Sequence, residues 1–179
     1  MTIQINYEMK KLQLSVRDIS FLGIPRVTRT QFTFKSAEIG QEIHQKIQTQ
    51  KQMENNNYKT EYFVKYQFSI QGWQVIIRGR IDLLARTSES IQIEEIKSIF
   101  LKQFSGSPDD PRIKPFRLQL QCYAWILNQI ETGQPSLSLQ LILFNRFDNK
   151  QHIVPVPYQD MSEYLTKKIT LLLIAEEEK

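Results

Sequence analysis

The 179-residue sequence has one cysteine, Cys122, and no long apolar run. A single cysteine excludes an intramolecular disulfide, and it cannot by itself hold zinc or an iron–sulfur cluster. The chain lacks a stretch of about 18 apolar residues, a leader segment after Met1, an internal repeat and a low-complexity tract. Together these absences predict a cytoplasmic domain with no membrane partner.

Dense runs of lysine and arginine are also absent. The formal net charge is +4, which permits a nucleic-acid partner without requiring one. The chain is long enough to bury a substantial core, and we expect residues 1–179 to form a single nuclease-like domain. The final residues LLLIAEEEK continue a helical pattern without a breaker. This indicates an alternative, in which the chain is a piece of a longer helicase or repair protein.

Periodicity along the chain predicts a mixed α/β domain whose central sheet is flanked by helices. A strand or arm is expected near 2–12. A short helix over 15–22 starts with capping-box spacing between Ser15 and Asp18. The further expected elements are a loop over 23–31, a helix over 36–50, strands over 61–70, 73–86 and 91–100, a loop over 105–115, a helix over 116–130, strands over 137–147 and 151–158, and a helix over 160–177.

The most strand-like stretch, GRIDLLARTSESIQIEEIKS over 79–98, contains unexpected charges. Strand side chains alternate between faces, so Glu95 and Lys97 share one face and Glu94 lies on the other. Asp82 belongs to the preceding strand. A short turn joins the two strands, which predicts antiparallel neighbours with Asp82 close to Glu95.

Two adjacent carboxylates repel each other, and burying them without partners is costly. A hard divalent cation such as Mg²⁺ or Mn²⁺ removes the conflict, because it prefers oxygen ligands. The ammonium of Lys97 could then orient or deprotonate an attacking water, which suits phosphodiester hydrolysis. In the alternative interpretation, Glu95 and Lys97 form a surface ion pair worth about 0–1 kcal/mol.

Four short motifs in order give the chain a resemblance to a known family. They are GQEIH with His44, GRID with Asp82, EIK with Glu95 and Lys97, and QLQCY with Gln119 and Tyr123. In this order they resemble the PD-(D/E)XK nuclease superfamily, specifically its RecB-like exonuclease branch, over about residues 15–145. Two features depart from that pattern: no proline precedes Asp82, and the iron–sulfur cysteines of some relatives are missing.

The resemblance implies a restriction-endonuclease-like core and a metal-dependent DNA nuclease of exonuclease type, acting in repair or recombination. It implies Mg²⁺ or Mn²⁺ as cofactor, single-stranded DNA or duplex ends as substrate, and a helicase motor as a possible companion in the same protein. The implied roles are metal ligation by His44, Asp82, Glu95 and the Ile96 carbonyl, catalysis by Lys97, and substrate orientation by Gln119 and Tyr123.

Each site residue also has a purely structural interpretation. His44 could be a boundary histidine of an amphipathic helix, and Gln119 and Tyr123 could be polar edges of a packed helix. Trp73 and Trp125 could stack on bases, although core packing is the favoured prediction. Cys122 is expected to be a small buried hydrophobe.

Scattered basic residues could contact phosphates, although such residues are usually only solvated. The candidates for DNA contacts are Arg78, Arg80, Lys114 and Arg117. The alternative function is not enzymatic. In this alternative, the chain is a catalytically inactive DNA-binding or docking module of a larger helicase. Metal binding discriminates between the two, because a scaffold has no need of a metal at this position.

Overall fold

The computed structural model describes residues 3–22, 34–133 and 135–177. The predicted loop over 23–31 lies outside these ranges. The 3-10 turn Pro111–Ile113 directly precedes the helix that begins at Lys114. The other elements in chain order are β1 Gln4–Asn6, β2 Lys11–Ser15, α1 Val16–Ser20, α2 Phe34–Glu54, β3 Tyr58–Ile70, β4 Trp73–Arg86, β5 Ser90–Ile99, α3 Lys114–Ile130, β6 Ser136–Asn145, β7 Lys150–Val156 and α4 Ser162–Glu177.

The strands of the described residues form one mixed sheet of seven members, in the order β1-β2-β4-β5-β6-β7, with β3 paired to β4. The pairs β2–β4 and β5–β6 are parallel and the others are antiparallel. One edge of β4 pairs with β3 along its length. The other edge is divided between β2, which reaches Arg78, and β5, which begins at Leu83. Residues 79–82 of β4 therefore lie at a fork, with no strand partner on this edge among the described residues.

Helices cover both faces of the sheet, which confirms the predicted mixed α/β class with a flanked central sheet. The larger core cluster lies on the face packed by α1, α3 and α4. A smaller cluster lies on the opposite face, where Ile43 and Ile47 of α2 pack on β3, β4, β5 and β6. Burial of these two apolar surfaces is the main stabilising contribution to the fold.

The alternation of side chains along β3 and β4 changes phase at Glu61 and Asp82: odd-numbered and even-numbered positions exchange the faces of the sheet to which they point. On one side of this point Tyr58 and Leu83 pack beneath α2, whereas beyond it Tyr62 and Ile81 belong to the cluster of α3. Glu61 has a left-handed φ of 51°, and the pairing register is interrupted there. Such a conformation is strained for a side-chain-bearing residue and persists where the surroundings enforce it.

Several predicted boundaries differ from the observed ones. The strand or arm over 2–12 is an antiparallel hairpin of β1 and β2, so the predicted order lacked a strand. The loop over 105–115 ends in the 3-10 turn, and α3 begins at Lys114 because Pro115 is tolerated in a first helical turn. The predicted capping box is present, with the amide of Asp18 donating to the hydroxyl of Ser15 at 3.0 Å.

Three side chains with alternative interpretations lie in the core. Trp73 and Trp125 are buried, as the core-packing prediction requires. Cys122 is buried too, and burial raises the pKa of its thiol to about 12. Within the described ranges, none of the helices has the length and apolarity needed to cross a membrane.

Candidate active site

The candidate site lies at the fork of β4 and β5. The ladder between these strands ends with the pair Leu83 and Glu94, and Asp82 and Glu95 occupy the next position. Beyond the end of this ladder, the side chain of Asp82 makes the contact with β5. Its Oδ2 accepts a hydrogen bond from the backbone N–H of Ile96 at 2.7 Å. The sheet therefore fixes the Asp82 carboxylate against β5. The role of the Ile96 carbonyl as a metal ligand stays a prediction.

His44 reaches this carboxylate from α2. Its Nε2 lies 2.9 Å from Asp82 Oδ2, and the packing of Ile43 and Ile47 on the sheet sets the position of the helix. Burial opposes protonation of His44, but the hydrogen bond and charge of Asp82 outweigh it and raise the pKa of the imidazole. A bound cation would replace this proton as the positive partner of Asp82.

Glu95 is fully buried beside Asp82. Its Oε1 accepts the ammonium of Lys97 and, at 2.6 Å, the amide of Gln119. Its Oε2 is buried with no hydrogen-bond partner among the described residues. Burial and the negative charge of Asp82 raise the pKa of Glu95 to about 8. An unpaired buried carboxylate oxygen is costly, so this atom is suited to a proton or a cation.

Lys97 connects the two carboxylates. Its Nζ contacts Glu95 Oε1 and lies 3.9 Å from Asp82 Oδ2. Burial disfavours the charged form, but Glu95 and Asp82 outweigh it and raise the pKa of Lys97. Lys97 is therefore a cation at neutral pH, suited to orienting an anion or a water.

Tyr123 lies one helical turn beyond Gln119 on α3, as the motif spacing requires. The hydroxyl of Tyr123 is 3.5 Å from Gln119 Nε2, and its ring rests on the backbone of Gly79. Burial raises the pKa of Tyr123, so the phenol stays neutral. Tyr123 therefore supports the Gln119 side chain against the fork.

Glu61 lies at the candidate site, and the sequence motifs did not include it. Ligand atoms of His44, Glu61 and Asp82 all lie within 4.8 Å of one another. Gln48 holds this arrangement, donating at 3.0 Å both to Glu61 Oε1 and to the carbonyl of Asp82. One imidazole and two carboxylates suit Mn²⁺ and are compatible with Mg²⁺. The two-residue turn at Gln71 and Gly72 fixes the β3–β4 register, and this register places Glu61 opposite Asp82.

Glu94 belongs to a separate buried network beneath α2. Its Oε1 accepts Lys51 Nζ at 3.0 Å, Tyr58 OH at 3.1 Å and Gln92 Nε2 at 2.7 Å. The structure thus places Glu94 away from the fork, as strand alternation predicts.

The four basic candidates for DNA contacts occupy different surroundings. Arg78 and Arg80 are exposed on β4, and Lys114 is exposed at the start of α3. Arg117 instead donates to the carbonyl of Pro108 and lies 3.3 Å from Asp109 Oδ1. Arg117 therefore anchors a loop, and its predicted phosphate contact would require this loop contact to break.

Comparison with known proteins supplies a fold but no function. No protein-family model matches the chain, and no curated protein matches it in sequence. The solved crystal structure of SSO0001 is similar, with a TM-score of 0.60 and 19% identity. The match covers 95% of this chain and 79% of that one. At this identity the likeness shows a shared fold alone.

The contact between Gly79 and Tyr123 gives a stability prediction. A Cβ at Gly79 would lie 2.6 Å from Tyr123 Cε1, whereas at Gly40 the nearest atom, Ser98 Cβ, is 3.9 Å away. We expect Gly79→Ala to destabilise the domain by about 1–3 kcal/mol through overpacking. Gly40→Ala should stabilise helix α2 by roughly 0.5–1 kcal/mol. Urea unfolding of both variants measures the difference, and equal stabilities would contradict the close packing of Tyr123.

The raised pKa of Glu95 predicts the pH dependence of metal-free stability. Between its ordinary pKa of 4.5 and about 8, the folded state binds more protons than the unfolded state, so stability falls as pH rises. His44, whose pKa is also raised, acts in the same direction. A pKa difference of one between the folded and unfolded states corresponds to about 1.4 kcal/mol, or roughly 3–6 °C in melting temperature for a chain of this length.

Thermal melts in EDTA at pH 5 and pH 8 test this expectation. Glu95→Gln keeps an oxygen for Lys97 and removes the titration, so its melting temperature should vary less with pH than that of the wild type. Identical pH profiles for the two proteins would show that Glu95 is ionised throughout.

Proposed function

We propose that the chain is a metal-dependent nuclease that hydrolyses phosphodiester bonds of DNA in an exonuclease-like manner, in repair or recombination. The supporting observation is the buried Glu95 carboxylate at the fork, which has an unpartnered Oε2 and lies beside Asp82, His44 and Lys97. The Oε2 of Glu94 is also buried without a partner among the described residues, so this feature alone does not distinguish the fork from the ion pair of Glu94 and Lys51. The fork differs in having two adjacent carboxylates, Asp82 and Glu95, whose mutual repulsion a cation would offset.

The residues at the fork fit Mg²⁺ or Mn²⁺. His44, Asp82 and Glu95 would hold the ion, as the resemblance to RecB-like nucleases implies, and Glu61 offers a further carboxylate. A metal ion in such a site lowers the pKa of bound water and stabilises negative charge on a phosphate. The ligands come from β3, β4, β5 and α2, and this rigid support favours a fixed geometry.

The remaining side chains act on the substrate and the attacking water. Lys97 keeps its proton at neutral pH, so it orients the water and stabilises developing charge on the phosphate. Gln119 is held by Glu95 and Tyr123, and it positions Glu95 and the substrate.

The proposal is tested by incubating the protein with end-labelled single-stranded and duplex DNA in Mg²⁺, Mn²⁺ or EDTA. We expect cleavage with either metal and none in EDTA. A double variant, Asp82→Ala/Glu95→Ala, purified identically, controls for contaminating nucleases. A circular single strand distinguishes the mode of attack, because an exonuclease leaves it intact.

Two outcomes would favour the inactive binding or docking module. One is DNA binding without cleavage under any metal condition. The other is the absence of Mn²⁺ binding to the wild type in a calorimetric titration.

A further inference from the structure

An open face of the β3–β4 hairpin leads away from the candidate site. Two cross-strand pairs follow the position of Glu61 and Asp82 along the hairpin, namely Phe63 with Arg80 and Lys65 with Arg78. With a rise of about 3.3 Å per residue, these pairs lie roughly 7 and 13 Å from Asp82.

The four side chains of these pairs point away from α3. The alternate residues Ile77 and Ile81 face α3 in the larger core cluster, so Arg78 and Arg80 lie on the opposite face. Phe63 is 56% exposed. Lys65 is exposed as well, and it forms no ion pair with the part of the chain that the structure describes.

The stability of the folded chain does not explain why a phenylalanine and three basic residues occupy this face. Like charges directly opposite each other on neighbouring strands are destabilising, yet Lys65 faces Arg78. Phe63 gains little from burial where it lies. A ligand with a negatively charged backbone and flat apolar rings would compensate both costs, since bases stack on exposed aromatic side chains and phosphates pair with cations.

We infer that this face binds a single-stranded nucleic acid and leads it to the fork. This inference rests on the proposed nuclease function. The backbone of the strand lies along Lys65, Arg78 and Arg80, and one base stacks on Phe63. A duplex fits this face poorly, because its bases are already stacked within the helix and leave Phe63 without a partner except at an end.

Binding measured without metal separates this inference from the nuclease activity. The probe is a fluorescein-labelled oligothymidylate in EDTA, followed by anisotropy over a range of salt concentrations. Lys65→Ala/Arg78→Ala should weaken binding roughly 10-fold and lower the salt slope by about 1.4, because each contact with a single-strand phosphate contributes about 0.7. Phe63→Ala should weaken binding by roughly 5- to 150-fold.

Matched controls come from exposed positions outside the β3–β4 hairpin. Lys150→Ala/Lys167→Ala removes the same charge, and Ile153→Ala removes an apolar side chain that is 53% exposed. Both should leave binding unchanged. Lys65→Ala/Arg78→Ala should also keep or raise the melting temperature, because the opposed charges are removed.

Unchanged oligothymidylate affinity in Lys65→Ala/Arg78→Ala or in Phe63→Ala would overturn the inference. Tighter binding of a blunt duplex, with Phe63→Ala neutral, would overturn it as well. A protein that binds the single strand through this face but cuts no DNA with Mg²⁺ or Mn²⁺ would refute the nuclease function and leave the binding face established.

Discussion

Lys97→Ala should lower the single-turnover cleavage rate by roughly 10²- to 10⁴-fold, the usual effect of losing a positioned proton-transfer or charge-stabilising group. Its affinity for Mn²⁺ should stay the same or increase. Lys97 donates no lone pair to a metal while protonated, and its positive charge opposes a cation beside Asp82 and Glu95. Cleavage and Mn²⁺ affinity are measured side by side.

Two further variants test whether the loss of cleavage is specific to Lys97. Gln119→Ala should lose less activity than Lys97→Ala, because Gln119 acts by position. Lys51→Ala removes the other lysine that pairs with a buried acid, Glu94, on the opposite face of the sheet. It should lower stability and leave cleavage by the folded protein intact. Near wild-type cleavage by Lys97→Ala would refute the mechanism and favour the binding-module alternative.

Local sequence patterns predicted how most of the candidate side chains are arranged, because their placement follows strand alternation. Glu95 and Lys97 share a face because they are two residues apart, and Glu94 lies on the other face for the same reason. The short turn after β4 was enough to predict that Asp82 and Glu95 would be neighbours. The four-residue spacing of Gln119 and Tyr123 placed both on one side of α3.

Long-range pairing limited what the sequence could predict. The parallel insertion of β2 beside β4, which creates the fork, depends on contacts between residues more than 60 positions apart, such as Leu14 and Ile77. The phase change depends on the left-handed φ of one residue, Glu61. Glycine or asparagine would indicate such a conformation in the sequence, but glutamate does not. Glu61 was therefore missed, and Phe63 could not be recognised as part of a basic face.

Asp82→Asn should abolish cleavage and reduce Mn²⁺ affinity by at least about 10-fold, the lower end of what disturbing a metal site costs. Asparagine keeps an oxygen that can accept the amide of Ile96, so the strand contact survives while the charge is lost. The metal-free domain should keep its stability, because repulsion between Asp82 and Glu95 disappears together with the attraction to His44.

Glu94→Gln is the matched control for Asp82→Asn, since it neutralises another buried carboxylate of the same sheet. It should leave Mn²⁺ affinity and cleavage unchanged. It should also cost about 1–3 kcal/mol of stability, because Lys51 loses its charged partner. We therefore expect opposite results for the two variants. Asp82→Asn should lose Mn²⁺ affinity in calorimetric titration but keep its stability in urea, whereas Glu94→Gln should keep Mn²⁺ affinity and lose stability. If Asp82→Asn unfolds easily and still binds Mn²⁺ like the wild type, the cluster at the fork is a structural ion pair, and the nuclease proposal fails.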